Sequence, residues 1–123
     1  MIRGFENYTE PLTTYEKDML VPILVEGLRR RVGGKYAIRN KEICRVLTEK
    51  GYQGISEPRI RKCINYIRVN GLVPHLVANR CGYYVATSVE EVERYAQSLE
   101  ERAQCIWAVR AALLKQLSGK LFL

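Results

Sequence analysis

The chain has 123 residues, 47% apolar and 27% charged, a globular balance with room for one domain and little for a second. Its longest apolar run, Met19 to Val25, spans 7 residues and contains Pro22, far short of the roughly 18 a membrane span needs. The charges among the first twenty residues leave no signal-peptide core, so a cytoplasmic protein with no membrane association is expected. Of the net charge of +7, residues 36–87 carry nine basic against three acidic side chains, which makes either a local positive field that attracts a polyanion or a basic but inert surface.

Residues 1–12 read as an N-terminal arm. Thr13 opens the first helix with Glu16 three residues later, the T-x-x-E pattern in which side chains satisfy each other's orphan backbone donors. Met19, Leu20, Ile23, Leu24, Gly27 and Leu28 recur at helical spacing, Arg29, Arg30 and Arg31 fall in the last turn, and Gly33-Gly34 ends the helix. Pro22 removes a backbone donor inside this pattern and should kink or split the helix. Ala37-Ile38 reads as a short strand, with Asn40 as the N-cap of a helix over 41–50 whose stripe is Ile43, Cys44, Val46 and Leu47. Gly51 ends that helix, 52–55 turn, and Ser56 caps a third helix over 57–70 with Ile60, Cys63, Ile64 and Ile67 on its buried face. The period then changes: Leu72 to Ala78 and Tyr83 to Ala86 read as a hairpin joined by Asn79-Arg80-Cys81-Gly82, with Pro74 at an edge or strand start. Ser88 and Glu91 open a last helix, 88–118, with no Pro or Gly before Gly119; 119–123 is a tail.

Helix, short strand, helix, turn, helix, hairpin is the layout of a winged helix-turn-helix. The fold class expected is therefore mainly α with a small β-hairpin (α+β), with a core over 13–87 and a long C-terminal helix. On a wheel of helix 57–70, Lys62, Asn65, Tyr66 and Val69 lie opposite the apolar face, flanked by Arg59 on one edge and by Arg61 and Arg68 on the other. Arginine and lysine bond guanine edges or phosphates and asparagine pairs with adenine, so this face suits duplex DNA; Arg80 at the hairpin tip would add a wing contact. The DNA-contacting set is thus Arg59, Arg61, Lys62, Asn65, Tyr66, Arg68 and Arg80. Of Tyr83 and Tyr84, one is expected inside.

Residues 40–102, most closely the segment S-E-P-R-I-R-K-C-I-N-Y-I-R-V with the following N-G-L-V-P and G-Y-Y-V, resemble winged-helix proteins encoded by phages and prophages. The resemblance covers about half the chain. It implies a winged-helix fold and a DNA-associated role in regulation or replication, and it supplies no catalytic residue.

In the last helix Val92, Ala96, Leu99, Ala103, Ile106, then Val109 or Arg110, Leu113 and Leu117 alternate as in a coiled-coil seam, with Trp107 and Leu114 widening the stripe. This helix can fold back over Leu20, Ile23 and Leu24, pair with a second copy, or do both; a homodimer is expected.

No enzyme is expected. His75, the single histidine, falls in a strand beside Pro74, the acids Glu90, Glu91, Glu93, Glu100 and Glu101 lie along a solvated helix, and no nucleophile, phosphate-loop or dinucleotide motif appears. Four scattered cysteines without a C-x-x-C pair argue for reduced thiols, with Cys44 and Cys63 as core residues, and for no metal or cofactor. The rival to DNA binding is a protein-interaction module that docks a replication or regulatory partner on the same fold.

Overall fold

The computed structural model describes residues 11–119, so the arm expected over 1–12, apart from Pro11 and Leu12, and the tail beyond Gly119 lie outside the described residues. The first helix begins as its capping pattern requires. The Thr13 amide donates to Glu16 Oε1 at 2.9 Å and the Glu16 amide donates to Thr13 Oγ1 at 3.1 Å. The helix neither splits nor stops at Pro22. Glu16–Leu20 is wound as a π-helix and Val21–Leu28 (α1) continues it as an α-helix with proline in its first turn. A π turn skips the i−4 bonding that proline cannot join, so the missing donor falls where no α-type bond is formed. The wider turn also changes the phase of the buried face: Met19, expected inside, is exposed, and Val21 is in the core with Leu20, Leu24 and Leu28.

After α1 the chain runs along the outer edge of the hairpin. Its amides and carbonyls bond to the second strand at two places: the Gly33 amide donates to Val85 O at 2.9 Å and the Val85 amide to Arg31 O at 2.7 Å. Ile38 and Tyr83 exchange both of their bonds. A 3-10 turn, Gly34–Tyr36, spans between them. The expected strand at Ala37-Ile38 is therefore a single antiparallel bridge. Next come α2 (Asn40–Glu49) and α3 (Glu57–Val69). Asn40 is not the N-cap of α2: the extended Arg39 holds that place, and Asn40 Nδ2 donates to Glu57 O at 3.0 Å, tying the two helices together. Ser56 caps α3 as expected, accepting from the Arg59 amide.

The hairpin is shorter than the apolar pattern suggests. β1 (Leu76–Asn79) and β2 (Gly82–Val85) pair antiparallel with Leu76 opposite Val85 and Asn79 opposite Gly82. The connection is Arg80-Cys81 alone, held by the Cys81 amide donating to Asn79 Oδ1 at 2.7 Å. Residues 72–75 form turns instead, because Pro74 cannot pair and His75 takes a positive φ of 63°. His75 is thus an exposed turn residue and not a strand residue. Gly82 is fixed by close approach. A Cβ there would lie 2.2 Å from the Ile38 carbonyl group, and its φ is 121°.

α3 runs through the core, contacting the first helix and α2. Ile60, Cys63, Ile64 and Ile67 are fully buried against Leu20, Leu24, Ile43 and Leu47. Cys44 is half-buried beside them, so both expected core cysteines pack as small apolar residues. Tyr84 is buried and its hydroxyl donates to Glu91 Oε2 at 3.1 Å, while Tyr83 is half-buried.

α4 (Val89–Gly119) is 31 residues, about 46 Å long. Ser88 Oγ accepts from the Glu91 amide, and the Glu91 carboxylate accepts from the Thr87 amide and hydroxyl, one residue earlier than a regular capping box. Its first turns pack on β1. Leu20 and Leu24 are covered by α3. From Leu99 onward its apolar side chains are exposed, Trp107 at 61% and Leu113 at 56%, with Ile106 half-buried. Among the described residues no helix is long and apolar enough to cross a membrane, and no group of His, Cys, Asp or Glu side chains is placed to hold a metal ion.

Candidate nucleic-acid interface

The polar side of α3 is shared between two neighbours, and its basic residues divide accordingly. On one flank the first helix covers it. Lys62, expected on the outward face, is buried, and its Nζ donates to Glu16 Oε1 at 2.8 Å; Arg59 Nε donates to Glu16 Oε2 at 2.8 Å. Arg59 also donates to Gly54 O at 3.0 Å and lies over the Tyr15 ring at 5.2 Å. Tyr66 is half-buried on the same flank, packed against the core. Arg59 and Lys62 therefore join the first helix to α3 and leave the expected outward face, while Tyr66 is only partly exposed. A helical wheel places side chains by angle and carries no record of which neighbouring element covers them.

Glu16 is 3% exposed. Burial alone would raise its pKa, but the hydrogen bonds from Lys62, the Thr13 amide and Arg59, with the Lys62 charge, overcome that and hold the carboxyl at about 2, against 4.5. The group is thus a buried ion cluster with satisfied oxygens, a structural rivet.

The other flank is open. Arg61, Asn65, Arg68 and Val69 of α3 form one wall of a cleft of about 990 Å³. Asn79, Arg80, Gly82 and Tyr83 of the hairpin form the second wall, Tyr95, Ser98, Leu99 and Arg102 of α4 the third, and Arg39 and Asn40 stand at one end. Four of the expected contact residues, Arg61, Asn65, Arg68 and Arg80, meet here. Arg39 and Arg102 were missed. Arg39 lies within the basic segment and its charge was the available signal; Arg102 lies in a helix with four basic and five acidic residues, and nothing in the sequence distinguishes it from its neighbours.

Five arginines and no carboxylate line this cleft. Elsewhere the acids are used: Glu42 and Glu49 bracket Arg45, with Arg45 Nη1 at 2.8 Å from Glu49; Glu26 holds Arg29 and Arg30; Glu16 holds Arg59 and Lys62. Among the described residues no cleft arginine forms an ion pair. Arg39 Nε donates to the Arg80 carbonyl at 3.3 Å, which fixes the turn relative to the start of α2. Arg68 lies between the rings of Tyr83 and Tyr95, 5.1 Å from each, with Nε and Nη2 buried and no acceptor for either among the described residues. Guanidiniums gathered without counter-charge repel one another, and an anion that enters relieves that repulsion and gains charge-assisted hydrogen bonds.

Of the thiols, Cys63 is pushed up to about 11, chiefly by burial, and Cys81, at the hairpin turn, is exposed. Comparisons of this chain with protein-family models, with curated proteins and with solved structures found no match.

Proposed function

We propose that the chain is a winged helix-turn-helix protein of the phage or prophage type that binds duplex DNA through α3 and the hairpin turn. The order of helix, edge strand, α2, α3 and hairpin supports the fold. The observation that carries the function is the sorting of charge: the acids that form ion pairs do so away from the cleft, Glu16 with Arg59 and Lys62 included, so among the described residues the five cleft arginines form no ion pair. In this reading Asn65 and Arg61 face base edges or the backbone beside them, and Arg68 and Arg80 take phosphates.

Fluorescence anisotropy of a random-sequence duplex at about 50 and about 200 mM salt tests it. Neutralising about four phosphates gives a log–log salt slope near −3.6, so affinity falls roughly 100-fold between the two salts. A selected site then shows base dependence that Asn65→Ala relaxes. Absence of binding at the lower salt refutes the DNA reading and favours the rival, a docking module for an acidic protein partner.

We also infer that the molecule is a homodimer through the distal half of α4. Val92, Leu99, Ile106 and Leu113 recur every seven residues beside a second row of Ala96, Ala103, Arg110 and Leu117, the periodicity of a supercoiled seam. A second copy running parallel would set Arg110 against Arg110. An antiparallel pair avoids that like-charge contact.

A further inference from the structure

We propose that α4 is a third nucleic-acid-contacting element, with Arg102 binding a backbone phosphate from the α4 side of the cleft that Arg61 and Arg80 also line. The inference rests on the DNA reading above and extends it beyond the helix-and-wing unit. Winged-helix contacts come from the third helix and the hairpin, yet here the cleft has a wall that neither supplies.

Three observations carry it. Arg102 is exposed, lines the cleft, and pairs with no carboxylate among the described residues, although Glu100 and Glu101 precede it directly. Ser98, one helical turn earlier, also lines the cleft and can donate to the same anion; its hydroxyl now donates to the Tyr95 carbonyl at 2.8 Å. The position of this wall is set by Arg68. Its guanidinium, held between Tyr83 of β2 and Tyr95 of α4, links all three walls through one side chain. Its Nε and Nη2 are buried without an acceptor among the described residues, so the guanidinium keeps its full positive charge beside the cleft. A phosphate backbone in the cleft would therefore meet Arg61 of α3, Arg80 of the hairpin and Arg102 of α4, which line it together.

The experiment is the salt slope of duplex binding for full-length Arg61→Ala, Arg102→Ala and Arg94→Ala. Arg94 is an exposed α4 residue outside the cleft, and its loss controls for net charge. Each phosphate contact removed makes the slope shallower by about one. The expected result is a loss of about one for Arg61→Ala and for Arg102→Ala and none for Arg94→Ala, with Arg102→Lys recovering most of the slope. If Arg61→Ala lowers the slope and Arg102→Ala matches Arg94→Ala, the α4 contact is overturned and the DNA reading stands. If wild-type binding has no salt dependence, or Arg61→Ala leaves the slope unchanged, the DNA reading fails first.

Discussion

Replacing Glu16 by glutamine keeps the volume and the Thr13 contact but strips the charge that faces Lys62 and Arg59. Lys62 is 8% exposed, so the variant buries an uncompensated ammonium. Breaking a buried ion pair from one side costs ~3–5 kcal/mol. An independent route reaches the same scale. The Glu16 carboxyl is held at about 2 from 4.5, and that depression corresponds to ~3 kcal/mol of linkage. Because the folded value is the lower one, the stabilisation is complete above pH ~4.5 and drains away as pH falls towards 2. Urea unfolding followed by circular dichroism at pH 7 should show Glu16→Gln less stable by about 3 kcal/mol, with a melting temperature lower by roughly 10–20 °C. The gap to wild type should close as pH falls from 5 to 2. The double variant Glu16→Gln, Lys62→Met should recover most of the loss, since a buried pair replaced by apolar groups is often neutral. A pH 7 difference under about 1 kcal/mol, or a gap that stays constant with pH, would refute the assignment of Glu16, Lys62 and Arg59 as the rivet between the first helix and α3.

The other predictions test the hairpin, the seam, the core and the thiols. Gly82→Ala forces a Cβ into the Ile38 carbonyl at a strained φ, so it should cost upwards of about 2 kcal/mol and abolish amide-exchange protection at Ile38 and Tyr83. Leu113→Glu should turn a light-scattering dimer into a monomer while helicity of the remainder persists, and a wild-type monomer at about 100 μM would sink the antiparallel seam. Ile64→Ala, at a fully buried site, should cost ~2–5 kcal/mol by urea titration. A thiol reagent on the native protein should label Cys81 and Cys105 quickly and Cys63 only on unfolding, given their exposure and the raised Cys63 thiol.

What was legible in the sequence was local. Thr13 with Glu16, Ser56, Ser88 with Glu91, Gly51 and the Arg80 turn are each decided by a few neighbouring residues, because caps and tight turns close within four positions. The buried face of α3 was legible for the same reason: Ile60, Cys63, Ile64 and Ile67 repeat with the helix. The outcome at Pro22 was not, since a kink and a π turn both accommodate a missing donor and packing chooses between them. Nor could Pro74 and His75 be placed, because an apolar run of strand-like residues becomes a turn where one member cannot pair.

The candidate site shows the same division. The sequence determined that positive charge gathers in 36–87 and that α3 carries much of it. Only the tertiary structure decided which cations are neutralised, because an ion pair forms between residues brought together by packing, as Glu16 is with Lys62, 46 positions away. The same packing carried Arg102, from a helix with no excess of basic residues, into the arginine cleft. Charge is a property of the chain, but its compensation is a property of the fold.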